Sequence, residues 1–226
     1  FKAMKGQTIG VIGGTGSGKS SIVNLIPRLY DATQGEVLVD GVNVKDYDIE
    51  TLRNKVGIVM QKAVLFKGTI RENMWMGKKG ATDEQIDEAL EISQSKEFVD
   101  SKQGRLDYVI EQGGKNLSGG QRQRLTIARA IVRKPDVLIL DDSASALDFA
   151  TDAALRKAIR GMNNSPTVFI VSQRAASLMY ADLIIVLDDG QVAGMGTHDE
   201  LLANCEVYKE IYESQFKKAD SEGGVA

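Results

Sequence analysis

The sequence predicts an α/β protein with a parallel sheet, a small antiparallel β piece near its front and a helical subdomain inserted in the middle. Three observations carry this. Apolar runs of strand length recur between helix-length amphipathic stretches, and the first run passes directly into a glycine-rich loop followed by a helix. From 61 to about 135 the chain is rich in helical patterns and lacks a convincing strand.

The elements follow in order. "QTIGVI" (7–12) is an apolar strand, and "SSIVNLI" (20–26) has helical spacing until Pro27 stops it. "GEVLVDGVNV" (35–44) alternates around Asp40-Gly41, the signal of a hairpin. "KVGIVM" (55–60), "DVLIL" (136–140) and "TVFIV" (167–171) have the composition of buried strands. "LIIVLDDGQVAGMG" (183–196) is a further pair around a second Asp-Gly turn. Helical stretches are predicted at 83–95, 120–134, 151–162 and 199–216, with the helical subdomain at about 62–134. The last residues, 219–226 ("ADSEGGVA"), have the composition of a disordered tail.

With 226 residues, 42% apolar and 26% charged, the chain can bury a full core as one domain, 1–218. Its net charge of −3 provides no basic footprint, so nucleic acid is not an expected partner. The single cysteine, Cys205, cannot form an internal disulfide and suits a reducing compartment, and no secretory signal pattern opens the chain. No apolar run approaches the roughly 18 residues of a membrane span. The chain starts at Phe1 and enters its first strand almost at once, so it is expected to be a fragment of something longer.

"GGTGSGKS" (13–20) satisfies G-x-x-x-x-G-K-[ST] through Gly13, Gly18, Lys19 and Ser20. Glycines let successive backbone N–H groups converge on a phosphate, and the following helix adds its positive end. Lys19 would reach the β- and γ-phosphates and the Ser20 hydroxyl would hold Mg²⁺. Gly14, Thr15, Gly16 and Ser17 complete the loop and Ser21 continues the helix start. The motif implies a P-loop NTPase core that binds a nucleoside triphosphate. Asp141, at the end of an apolar strand, fits the metal-side acid that accompanies such a loop.

"LSGGQRQRLTIARA" (117–130) is a second device suited to phosphate. Ser118 caps a helix with Gln121 at its third position, while Gly119 and Gly120 leave the first turn clear of side chains. Leu125, Ala128 and Val132 mark the buried face, with Arg122 and Arg124 expected to be solvated or paired with local acids.

Taken together, "GGTGSGKS", Gln61 in "VMQKAVLF", "LSGGQ", "VLILDD" and "SALD" occur in the order and spacing that resemble the nucleotide-binding domain of ATP-binding-cassette (ABC) transporters. "LFKGTIREN" (65–73) and "LIPRLYD" (25–31) resemble the exporter branch, which fuses a membrane domain N-terminal to the cassette. The resemblance implies ATP and Mg²⁺ as cofactors, a cytosolic position beneath a membrane domain, and head-to-tail pairing with a second cassette. Ser118, Gly119, Gly120 and Gln121 would then serve the partner's nucleotide, and Asp148 would sit at the dimer seam. Gln61 would touch Mg²⁺ or the attacking water, and Glu111 would approach the membrane domain. Tyr30 is expected to be a packing residue, the family's adenine-stacking aromatic lying upstream of Phe1.

Two positions depart from that family. The residue after the metal-side acid is normally a glutamate that handles the attacking water, and here it is Asp142. A missing CH₂ retracts the carboxylate by more than about 1 Å, and misplacement of that size costs about 100-fold. The histidine expected after "TVFIV" is replaced by Gln173, and the chain's only histidine, His198, lies far downstream where it is expected to be structural. The pair resembles the degenerate-site half of a heterodimeric exporter, which binds MgATP but hydrolyses it slowly while its LSGGQ completes the partner's site. A slow homodimeric exporter, a soluble ABC ATPase acting on DNA or ribosomes, and a non-hydrolysing nucleotide sensor are the alternatives.

Overall fold

The computed structural model describes residues 1–143 and 146–222. The chain divides into two compact units, one formed by residues 1–52 together with those from 167 onward, the other by Arg53–Pro166. In chain order the first unit contributes β1 (Thr8–Gly13), α1 (Lys19–Asn24), β2 (Leu38–Val39), β3 (Val42–Asn43) and the start of α2 (Ile49–Lys55). The second holds β4 (Val56–Val59), β5 (Gly68–Thr69), α3 (Ile70–Trp75), α4 (Asp83–Ile92), α5 (Lys96–Asp100), β6 (Val109–Ile110), α6 (Gly119–Ile131), β7 (Val137–Asp141) and α7 (Phe149–Arg160). The first unit then resumes with β8 (Thr167–Val171), β9 (Leu183–Asp188), β10 (Gln191–Gly196), α8 (His198–Asn204) and α9 (Glu206–Glu222).

In the first unit β1 lies between β8 and β9, parallel to both, with Thr8 opposite Val168 and Ile9 opposite Leu183. Every residue of β1 and β8 is buried, which is why both are continuous apolar runs rather than alternating ones. β10 returns antiparallel along β9. The turn between them, Asp189-Gly190, has φ of 44° and 77°, and Asp40-Gly41 between β2 and β3 has 51° and 78°. Positive φ at both central residues is the hairpin geometry that favours Asp-Gly. Both turns were predicted from the sequence.

In the second unit β4 and β7 pair in parallel, Val56 opposite Val137 and Val59 opposite Leu140. Helix α6 packs closely on β4: a Cβ on Gly57 would lie 2.9 Å from the Ala130 carbonyl oxygen. Ile70, Met74, Ile86, Leu90 and Leu125 are fully buried and form the helical core. The approach is tighter at Gly77, where a Cβ would meet the Arg129 carbonyl oxygen at 2.0 Å and Val132 Cγ1 at 2.8 Å. Gly77→Ala is therefore expected to destabilise the protein by about 1–3 kcal/mol through overpacking, read as a lower urea midpoint at unchanged slope. An unaltered midpoint would show that α6 can move aside freely.

Some expectations are corrected. The helix predicted at 199–216 is two helices, because Cys205 is extended (φ −120°, ψ 107°) and buried beside Gly194. α9 continues to Glu222, four residues into the segment 219–226 expected to be disordered, since no glycine or proline interrupts it before 223; residues 223–226 lie outside the described residues. The expected helical stretch at about 62–134 lies within the second unit, which also contains the two-residue β5–β6 ladder, too short to leave an alternating pattern. Helices α2, α3 and α5 have five to seven residues, below the length at which periodicity is readable. Tyr30, expected to pack, is 66% exposed. Among the described residues no helix is long and apolar enough to cross a membrane.

Candidate functional site

The phosphate loop lies in the first unit between β1 and α1. Gly16 and Gly18 have φ of 82° and 94°, and Gly18 caps α1 with no side-chain hydrogen bond, which leaves the first-turn amides without a competing acceptor there. A Cβ on Gly14 or Gly16 would meet nothing within 4 Å, so this face of the loop is open. Gly13 faces the opposite situation, with its hypothetical Cβ 2.1 Å from the Leu187 carbonyl oxygen on β9. Lys19 is buried, and its Nζ donates to the carbonyls of Gly13 (2.8 Å) and Gly14 (2.6 Å). The Ser17 hydroxyl is buried with no hydrogen-bond partner among the described residues. A buried ammonium held in a loop that is open at Gly14 and Gly16 fits a polyphosphate. Thr15, Ser20 and Ser21 are exposed around it.

Gln173 belongs to the same unit. It follows β8 and has an exposed side chain, and the preceding Ser172 N–H donates to the Val11 carbonyl at 3.1 Å. The strand end carrying Gln173 is thus adjacent to the β1 segment that runs into the phosphate loop. His198 is packed elsewhere in the unit: its Nδ1 lies 2.8 Å from the Tyr208 hydroxyl and its ring contacts those of Tyr208 and Tyr212. Burial pushes the Tyr208 hydroxyl up to about 12.

In the second unit the register of β4 and β7 places Gln61 and Asp142 two residues beyond the paired Val59 and Leu140. The two side chains meet there, Gln61 Nε2 donating to Asp142 Oδ2 at 3.1 Å. Asp141, the last residue of β7, is buried, and Asp142 takes the left-handed conformation at φ 45°. Among the described residues no cluster of three His, Cys, Asp or Glu could hold a metal ion. A single aspartate with a hydroxyl, an amide oxygen and phosphate oxygens is instead a donor set of the kind Mg²⁺ takes.

Ser118 caps α6 by accepting the Gln121 N–H at 3.2 Å, while Gln121 Oε1 accepts the Ser118 N–H at 3.0 Å. The capping box therefore engages the Gln121 side chain, and Gly119 and Gly120 keep the first turn of α6 free of side chains. A Cβ on Gly120 would lie 3.3 Å from the Ala146 carbonyl oxygen. Arg122 and Arg124 are half-buried and meet no acid among the described residues: Arg122 donates to the carbonyls of Gly114 and Leu117, and Arg124 lies over the Phe98 ring. Asp148 caps α7, accepting from the Thr151 N–H at 2.9 Å and hydroxyl at 2.8 Å, and these bonds hold its carboxyl below the usual carboxylate range. Glu111 is exposed just after β6. Ser145 of the "SALD" motif lies outside the described residues.

The profile of a family described as ABC transporter matches residues 1–145. An uncharacterized ABC transporter ATP-binding protein of Bacillus subtilis (strain 168) is 45% identical over 222 residues, covering 98% of this chain and 38% of the relative. A Staphylococcus aureus (strain NCTC 8325 / PS 47) protein, provisionally named a multidrug export ATP-binding/permease protein, is 39% identical over 211 residues, covering 93% of this chain and 36% of its own length. A solved bacterial Atm1-family ABC exporter with ATP bound superposes with a TM-score of 0.90 at 33% identity, covering 95% of this chain and 38% of that one. The chain thus spans well under half the length of these relatives. The match of family profile, motifs and fold over most of its length means that this chain belongs to the ABC transporter family.

Proposed function

We propose that this chain is the nucleotide-binding cassette of an ABC exporter, with its nucleotide-binding domain over 1–218, on the cytosolic face of a membrane. It binds MgATP, and hydrolysis in the assembled transporter drives export. Likeness to the Staphylococcus protein named for multidrug export and to the solved Atm1-family exporter supports this branch over a soluble ABC ATPase. Gly13 to Ser21 cradle the triphosphate, with Lys19 on the β- and γ-phosphates. Ser20, Asp141 and Gln61 would hold Mg²⁺, which when bound neutralises the charge on the phosphate oxygens. Ser118, Gly119, Gly120 and Gln121 serve the nucleotide of a second cassette, and Asp148 lies at the seam between the two.

The chain's own site is the slow one of a heterodimeric pair. The bond from Gln61 to Asp142 carries this reading: the shortened carboxylate already accepts a hydrogen bond from a neighbouring amide, which occupies an oxygen that would otherwise meet the attacking water. Gln173 can donate to a phosphate oxygen but cannot take up the positive charge of an imidazolium. Binding therefore survives while turnover falls. Calorimetric titration with MgATP and a turnover assay on the purified chain test both halves, with micromolar-range binding and slow hydrolysis as the expected result. A chain that binds no ATP would sink the cassette reading. Brisk hydrolysis by the chain alone, or co-purification of the whole protein with a second copy of itself only, would remove the heterodimeric one.

A further inference from the structure

The loop that carries Gln173 is fastened by one side chain 42 residues away. Gln215 on α9 donates from Nε2 to the Gln173 carbonyl at 2.7 Å, and its Oε1 accepts the Ala175 N–H at 2.9 Å. Ala175 is fully buried and opens a short 3₁₀ turn (Ala175–Ser177), so its N–H has no acceptor within that turn. A side-chain amide presents donor and acceptor in one plane and can satisfy the carbonyl and the N–H two residues apart. On the other side the loop is held by Ser172, whose N–H donates to the Val11 carbonyl at 3.1 Å and whose hydroxyl accepts the Arg174 N–H at 2.9 Å. The main chain of Gln173 is thus tied on both sides while its side chain remains exposed.

We propose that Gln215 is a positioning residue that holds Gln173 for contact with the terminal phosphate of ATP, an inference that rests on the cassette reading above. A side chain on an exposed loop reaches one oxygen consistently only when its backbone is fixed. If the loop samples several conformers, apparent affinity falls by the competent fraction. Docking of α9 has other anchors: Tyr208 is fully buried and its hydroxyl meets His198. The two bonds of Gln215 therefore act on the loop more than on the helix.

Gln215→Met keeps length and helix propensity and removes both donor and acceptor. In the full chain, hydrogen exchange at the Ala175 amide is measured without nucleotide, and affinities are measured for a non-hydrolysable ATP analogue and for ADP. The expected result is exchange faster by about 10-fold and an ATP-over-ADP preference reduced by about 5- to 10-fold, the worth of one hydrogen bond, with ADP affinity nearly unchanged. Gln173→Ala should reduce the preference equally, and the double variant should lose little more. Gln215→Glu retains the acceptor and should keep Ala175 protected. Unchanged exchange in Gln215→Met overturns the clamp, and parallel loss of ATP and ADP affinity overturns the positioning role. A wild-type chain that binds neither nucleotide overturns the cassette reading, and the nucleotide-free exchange measurement still decides the clamp.

Discussion

Lys19→Ala is expected to weaken MgATP binding by the chain by about 30-fold or more, since truncating one partner of a buried, hydrogen-bonded charge pair costs about 2–5 kcal/mol. Two roles converge on this residue. Its ammonium is buried inside the loop and donates to the Gly13 and Gly14 carbonyls, so it shapes the loop in addition to its proposed contact with phosphate. A variant that merely collapsed the loop would also lose thermal stability. Calorimetry with MgATP, paired with the melting midpoint of the nucleotide-free chain, separates the two. Affinity within about threefold of wild type would show that the loop amides alone grip the triphosphate, and would remove Lys19 from the site.

Asp142→Glu combined with Gln173→His is expected to raise ATP turnover at this chain's own site by about 100-fold, the cost attributed to a misplacement of about 1 Å. On the proposed slow-site reading, the longer side chain restores reach, and the imidazole supplies a group that can carry positive charge. Asp142 sits in a left-handed turn and is already bonded to Gln61, so a glutamate there must extend past that amide. Adding Gln61→Ala to the double variant tests this directly. On the proposed heterodimeric reading, turnover is measured in the assembled transporter with the catalytic glutamate of the second cassette disabled, so that only this site contributes. If the double variant remains as slow as wild type, the slow-site assignment for Asp142 and Gln173 is wrong and another feature limits hydrolysis.

The features legible from sequence are those whose chemistry lies within a few consecutive residues. The Asp40-Gly41 and Asp189-Gly190 turns need only a pair of residues that accept positive φ, and Ser118 with Gln121 needs only one helical turn. The phosphate loop is likewise a single contiguous stretch ending in Lys19 and Ser20. Buried strands such as β1 and β8 announce themselves because a strand covered on both faces must be apolar throughout. Gln61 has no local signature, and only its resemblance to a family motif marked it.

What the tertiary structure alone decided are contacts between residues far apart in the chain. The bond from Gln61 to Asp142 exists because parallel pairing of β4 and β7 aligns their ends, a register that neither segment encodes by itself. Arg122 and Arg124 look like surface charges in the sequence, yet backbone carbonyls and an aromatic ring take their guanidinium groups. Tyr30 looks like a core residue and stands exposed. Gln215, in a polar helix that no motif flags, reaches back to the loop of Gln173. Backbone conformation and capping follow from short-range sterics and hydrogen bonding, so the sequence by itself determined the motifs and most of the longer elements. Which side chains meet depends on strand register and helix docking summed over the whole chain, and this only the folded structure could decide.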